Sequence, residues 1–109
     1  GGSSNLVSKK YNVGIMKRLT HKVIDLGYQY YDWNGDSTDA SGNHVAVDKL
    51  IRNGTSCHDN NVMILCHDTQ AKDTTVQALP AIIEHYKNLG YTFKGIDDAT
   101  YAPHQSVNN

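Results

Sequence analysis

Apolar residues recur at helical spacing three times along this chain. Ile15, Met16, Leu19, Val23, Ile24 and Leu26 fall on one face of a helix, with Gly27 placed to stop it. Val45, Val47, Leu50 and Ile51 predict a second, shorter helix that ends near Asn53 and Gly54. Val76, Leu79, Ile82, Ile83, Tyr86 and Leu89 line one face of a third, which Asp73, Thr74 or Thr75 is able to cap and Gly90 stops. Pro80 lies inside that last pattern, so it either kinks the helix or marks its start.

Between the helices the pattern changes. Residues 28–33 are short, aromatic and strand-like. Residues 34–43 are rich in Gly, Asp, Ser and Asn and read as an exposed loop. Val62, Met63, Ile64, Leu65 and Cys66 form an unbroken apolar run, too short for a typical helix and suited to a strand covered on both faces. Residues 91–96 read as a third strand, and residues 98–109 as an irregular tail. Three helix-then-strand units with a doubly buried strand imply an α/β fold with a parallel sheet.

Composition narrows the function. The chain has 109 residues, which suits one domain. Ten basic residues nearly balance eleven acidic ones, which speaks against a nucleic-acid partner. No apolar run is long enough to span a bilayer, and no signal peptide is recognisable. The chain starts at Gly1 rather than Met, and on composition the run Gly1-Gly2-Ser3-Ser4 reads equally as native chain or as a linker. Cys57 and Cys66 form no C-x-x-C pair, and Cys66 reads as a small buried hydrophobe.

In parallel α/β folds, reactive side chains gather where strands end. One predicted strand ends in Asp32-Trp33 and the next in His67-Asp68. Consecutive strands are usually neighbours, so Asp32 is expected to reach His67. A carboxylate beside a histidine favours the imidazolium, a form that donates a proton. Trp33 offers a flat apolar face on which a sugar ring is able to stack. The same residues also fit a loop cap, a core aromatic and a plain turn.

The run Val62-Met63-Ile64-Leu65-Cys66-His67-Asp68, followed by Thr74-Thr75 and Ala78-Leu79-Pro80, resembles the last motif of the polysaccharide deacetylases (carbohydrate esterase family 4, the NodB-homology fold). That motif is an apolar strand ending in Leu-x-His and a helix opening with Thr and Ala-Leu-Pro. Tyr31-Asp32-Trp33-Asn34 resembles the preceding Asp-Trp motif, and residues 1–5 resemble the stretch just after the family's Arg-x-Pro. The resemblance runs over residues 1–109 and implies the C-terminal portion of an irregular (β/α)7 barrel. It implies hydrolysis of N-acetyl groups on an amino-sugar polymer such as peptidoglycan or a chitin-like glycan. In that frame His67 is the general acid and Asp32 orients it. Leu65 lines the acetyl-methyl pocket, Trp33 walls the groove, and the backbone near Gly1 contributes to the oxyanion site.

The family's Asp-Asp motif, paired histidines and arginine are missing from the chain. His21, His44, His58, His85 and His104 lack the paired spacing and read as solvated. The resemblance therefore implies a divalent metal, zinc or similar, in the whole domain and none bound by this portion. It implies as partners an N-acetylated glycan and either the N-terminal half of the same domain or a second copy of the chain. It implies a cell-surface or extracellular site of action, and no deacetylase activity for this portion alone. The alternative reading is a non-catalytic glycan-binding or interaction module of α/β fold. A His-Asp phosphohydrolase is rejected, because such sites sit on helices with further metal ligands.

Overall fold

The computed structural model describes Asn5 and residues 10–109. Within residues 10–109 the α-helices follow in chain order, α1 (Ile15–Asp25), α2 (Val47–Gly54) and α3 (Asp73–Asn88). Two short strands, β1 (Gly35–Asp36) and β2 (Ile64–Leu65), pair in parallel, with Gly35 opposite Ile64 and Asp36 opposite Leu65. Single 3-10 turns span Asp39–Ser41 and Gln70–Lys72. Among the described residues no helix is long and apolar enough to cross a membrane.

The chain divides into two compact units, one formed by residues 1–32 with Tyr101–Asn109 and the other by Trp33–Thr100. In the first unit α1 follows Gly14, whose φ of 74° suits a residue without a Cβ. The Gly14 N–H donates to Asn109 Oδ1 at 2.9 Å, and Asn109 Nδ2 donates to the Asn12 carbonyl, so the buried Asn109 side chain ties down the entry to the helix. Gly27, at φ 84°, follows the helix as the apolar pattern predicts. None of the α1 residues is fully buried, and Leu19 and Ile24 are exposed.

The second unit carries the core. Leu50 of α2 and Ala78, Ile82 and Tyr86 of α3 are buried together, with Val62 and Ile64 packed against them. Gly54 lets the two helices approach closely, since a Cβ there would stand 2.6 Å from Ile82 Cδ1. The Tyr86 hydroxyl closes the cluster by donating to the carbonyls of Gly54 (3.2 Å) and Cys57 (2.9 Å). A buried aromatic with a satisfied hydroxyl contributes its full apolar area without stranding a polar atom.

Three element positions differ from the reading of the sequence. The strand predicted at residues 28–33 is displaced to Gly35–Asp36. Asn34 explains the shift: its Oδ1 accepts the Met63 N–H at 2.8 Å, and its Nδ2 donates to the Asn61 carbonyl at 2.6 Å. The side chain thus docks this segment beside residues 61–63 and sets the register. Gly35 then permits close approach, because a Cβ there would lie 3.1 Å from Ile64 Cγ1. Residues 91–96 form no strand, because a strand needs a ladder partner and none of the described residues supplies one. Pro80 sits within α3 rather than at its start; the bond its missing N–H forfeits is the one to the carbonyl of Val76, an exposed residue.

Candidate active site

His67 lies two residues past β2, and Asp39 opens the 3-10 turn that follows β1. Parallel pairing therefore delivers both to the same end of the sheet. His67 Nδ1 and Asp39 Oδ1 are 2.7 Å apart, and the His67 main-chain N–H donates to Asp39 Oδ2, also at 2.7 Å. The Thr75 hydroxyl donates to the same Oδ2 at 3.0 Å. With a carboxylate accepting at Oδ1, Nδ1 carries the hydrogen and Nε2 faces outward. The side chain of Asp39 is 1% exposed and that of His67 41% exposed, so a sealed carboxylate holds an imidazole that solvent or substrate reaches.

The backbone around Asp39 is built for that placement. Ser37, itself buried, donates its hydroxyl to the Leu65 carbonyl at 2.9 Å and continues the β1–β2 pairing beyond the last strand residue. Thr38 is left-handed at φ 62°, costly for a β-branched residue. Its N–H donates to Asp36 Oδ1 at 2.7 Å, and its Oγ1 accepts from Asn53 Nδ2 at 2.6 Å. These two bonds hold the strained residue and turn Asp39 inward. Lys72 Nζ bridges the carbonyls of Asp39 and Gly42, at 2.6 and 2.5 Å. Farther along the loop, His44 Nδ1 meets Asp73 Oδ1 at 2.7 Å, a bond that holds the Asp73 carboxyl below its ordinary range despite a small opposing effect of desolvation.

Burial by itself pushes the Asp39 carboxyl up. The His67 N–H, the His67 ring, the Thr75 hydroxyl and the His67 charge together outweigh it and hold the carboxyl below its ordinary value. The unfolded chain then takes up a proton at Asp39 before the folded chain does. The stabilisation is present above the ordinary carboxylate value, about 4, and is lost as pH falls through the lowered folded value. Urea midpoints taken from about pH 6 to pH 2 should fall more steeply for the native chain than for Asp39→Asn. Equal slopes would assign the acid lability to other groups, His44–Asp73 among them.

The sequence-predicted residues fare differently. The carboxylate on His67 is Asp39, which corrects the expectation that Asp32 orients this ring. Asp32 belongs to the other unit, where its Oδ2 accepts the Gln105 N–H at 2.8 Å and its own N–H donates to the Pro103 carbonyl. It lines a cavity of about 250 Å³ there, with Tyr30, Tyr31 and α1 residues Met16, Leu19 and Val23. Trp33 and Leu65 are half-buried in the second unit, and Gly1 lies outside the described residues. Cys66 is half-buried and unpaired; burial pushes its thiol up, the Asp39 and Asp36 charges add to that, and a bond with Ser37 only partly offsets it. Of the five remaining histidines, four are exposed as expected. His85 is instead half-buried, edge-on to Tyr86, with a buried Nε2 that finds no hydrogen-bond partner among the described residues.

Asp39 and Thr75 were missed as site residues. Asp39 sits in the polar stretch read as an exposed loop; Asp-Ser-x-Asp directly after Asn34-Gly35 was the available signal. Among the described residues no three His, Cys, Asp or Glu side chains lie together as a metal-binding set. The residues present thus do not fit the divalent metal that the resemblance implies, and no chemical step here is routed through one.

No family model matches the chain. It is 30% identical over 98 residues to a peptidoglycan-N-acetylglucosamine deacetylase from Bacillus cereus, covering 83% of this chain and 34% of that protein. It is 39% identical over 82 residues to a bifunctional xylanase/deacetylase from Pseudobutyrivibrio xylanivorans, covering 72% of this chain and 12% of that one. The catalytic domain of a peptidoglycan N-acetylglucosamine deacetylase from Eubacterium rectale superposes on the whole chain with a TM-score of 0.87 and 37% identity, over half of its own length. The chain thus spans about a third of the first curated relative and half of the solved domain. Its α/β fold is a portion of that domain's barrel.

Proposed function

Because the chain belongs to the polysaccharide deacetylase family, we propose that residues 1–109 are the C-terminal part of such a domain and supply its proton donor. The reaction is hydrolysis of the N-acetyl group of an amino-sugar polymer, peptidoglycan or a chitin-like glycan. The observation that carries the reading is the His67–Asp39 pair at the end of the parallel sheet, at 2.7 Å, with the carboxylate buried and the ring open.

In this reading the imidazolium gives the proton on Nε2 to the amine nitrogen as the C–N bond of the tetrahedral intermediate breaks. Asp39 keeps the other proton on Nδ1 and offsets the charge of the ring. Leu65, on the strand leading to His67, lines the space for the acetyl methyl group. Trp33, two residues before β1, walls the groove. A divalent metal, if the remaining part of the domain held one, would supply Lewis-acid polarisation of the acetyl group and an activated water. A polymer of the cell wall places the reaction at the cell surface.

The partner of this portion is that same remaining part rather than a second copy. Apolar side chains stay exposed on both units, Leu19, Ile24 and Leu26 on one and Val76, Phe93 and Ile96 on the other, and the solved domain is twice as long as the chain. The test is amine release from an N-acetylglucosamine oligomer. The whole domain is expected to deacetylate it and the 109-residue chain alone to release none. Turnover by the chain alone refutes the division of labour. Binding by the whole domain without turnover replaces the enzyme with a glycan-binding module.

A further inference from the structure

We propose that Thr75 is a positioning residue for His67, its hydroxyl locking the Asp39 carboxylate in the orientation that keeps the ring hydrogen on Nδ1. The role rests on the deacetylase reading above, in which His67 is the acid. Three donors converge on the carboxylate, but two of them, the ring and the main-chain N–H, belong to His67 itself. The main-chain bond holds Oδ2 to the chain just past β2, and the ring bond at Oδ1 turns with the imidazole. Thr75 supplies the third, at 3.0 Å to Oδ2, and among the described residues it is the side-chain donor that comes from a different element.

That element is the anchored one. Thr75 is 3% exposed in the first turn of α3, and Ala78, one turn on, is in the core with Leu50, Ile82 and Tyr86. Lys72, just before the helix, grips the Asp39 carbonyl. The start of α3 therefore holds both the main chain of Asp39 and one oxygen of its carboxylate. Rotation of the carboxylate would move Oδ1 away from Nδ1, and a free imidazole then reverts toward the tautomer with hydrogen on Nε2. His67 bonds the carboxylate, Lys72 bonds the Asp39 main-chain carbonyl, and the Cys66 thiol feels the Asp39 charge; none of the three offers a side-chain donor at Oδ2 in place of the hydroxyl.

The test is the tautomer of His67, read from long-range proton–nitrogen correlations of the nitrogen-15-labelled chain at about pH 8, where an imidazole is neutral. The native chain and Thr75→Ser should carry the hydrogen on Nδ1 alone. Thr75→Val, which keeps the volume and drops the hydroxyl, should lose that single state and populate the Nε2-protonated form. Should Thr75→Val fail to fold, Thr75→Cys, a weaker donor of similar size, should give the mixture instead. A native tautomer in the folded variant without a good donor overturns the proposal, as does a mixture in Thr75→Ser. In the whole domain Thr75→Val should lower kcat about tenfold at unchanged KM, the order expected for one lost bond to a charged group. An unchanged kcat beside an altered tautomer removes Thr75 from the reaction. If the native domain releases no amine while the tautomers behave as described, the deacetylase reading fails and the positioning by Thr75 stands.

Discussion

His67→Ala lowers kcat for amine release by the whole domain by about 10²–10⁴, with little change in KM. That range is the usual contribution of a positioned general acid. The amine leaving a tetrahedral intermediate departs poorly unless it is protonated, and among the described residues the open ring nitrogen of His67 is the donor that the sheet end presents. Asp39→Asn should fall in the same range although it leaves the ring in place. Asp39 accepts from the His67 N–H, the His67 ring and the Thr75 hydroxyl. An amide has one oxygen to offer those three donors. With that oxygen turned toward the His67 N–H and Thr75, its NH2 faces Nδ1, which must then be the lone-pair nitrogen. The imidazolium that gives up the proton would then lack its counter-charge. Steady-state kinetics on both variants, each first matched to the native urea midpoint, checks this. A rate within about twofold of native for His67→Ala removes the residue from the mechanism.

The sequence pattern located His67 and mislaid its partner, and the reason is physical. β2 lies in an unbroken run of half-buried apolar residues, so the hydrophobic pattern finds it and the residue at its end. β1 is written in Asn, Gly and Asp, which composition assigns to loops. Its position is set by the Asn34 side chain standing in for a ladder group and by a glycine admitting Ile64, neither of which leaves a hydrophobic signature. The aromatic residues 28–33 drew the strand assignment instead, and Asp32 was taken for the carboxylate that Asp39 supplies seven residues on. The general rule about strand ends was sound; it was applied to the wrong strand end. Burial misled in the same direction, for Ser37 and Asp39 are sealed by hydrogen bonds rather than by apolar surface. The three helices were legible because each puts a stripe of apolar side chains on one face; in α3 Thr75 reads from sequence as a candidate cap, whereas it is a buried residue of the first turn that bonds Asp39.

Leu50→Ala should lower the unfolding free energy of the second unit by about 2–5 kcal/mol, the range for a buried leucine truncated to alanine. Leu50 is 0% exposed, and only Ala78, Ile82 and Tyr86 are buried with it as hydrophobics among the described residues. The surroundings have little room to collapse into the space. Gly54 has no side chain and Ala78 only a methyl fixed to the backbone, and Tyr86 is pinned through its hydroxyl to the carbonyls of Gly54 and Cys57. A unit of this size has a total stability of several kcal/mol at most, so the loss should abolish its cooperative transition or bring the midpoint close to zero denaturant. The first turn of α3 hangs on the same cluster, and with it the Thr75 and Lys72 contacts to Asp39. Amide protection at Ser37 and His67 should therefore vanish together with that of α3 rather than after it. Hydrogen exchange beside urea unfolding measures both effects. A loss below about 1 kcal/mol would mean that this side chain is replaceable, and protection surviving at His67 after α3 has opened would mean that the sheet end holds its geometry without the helix.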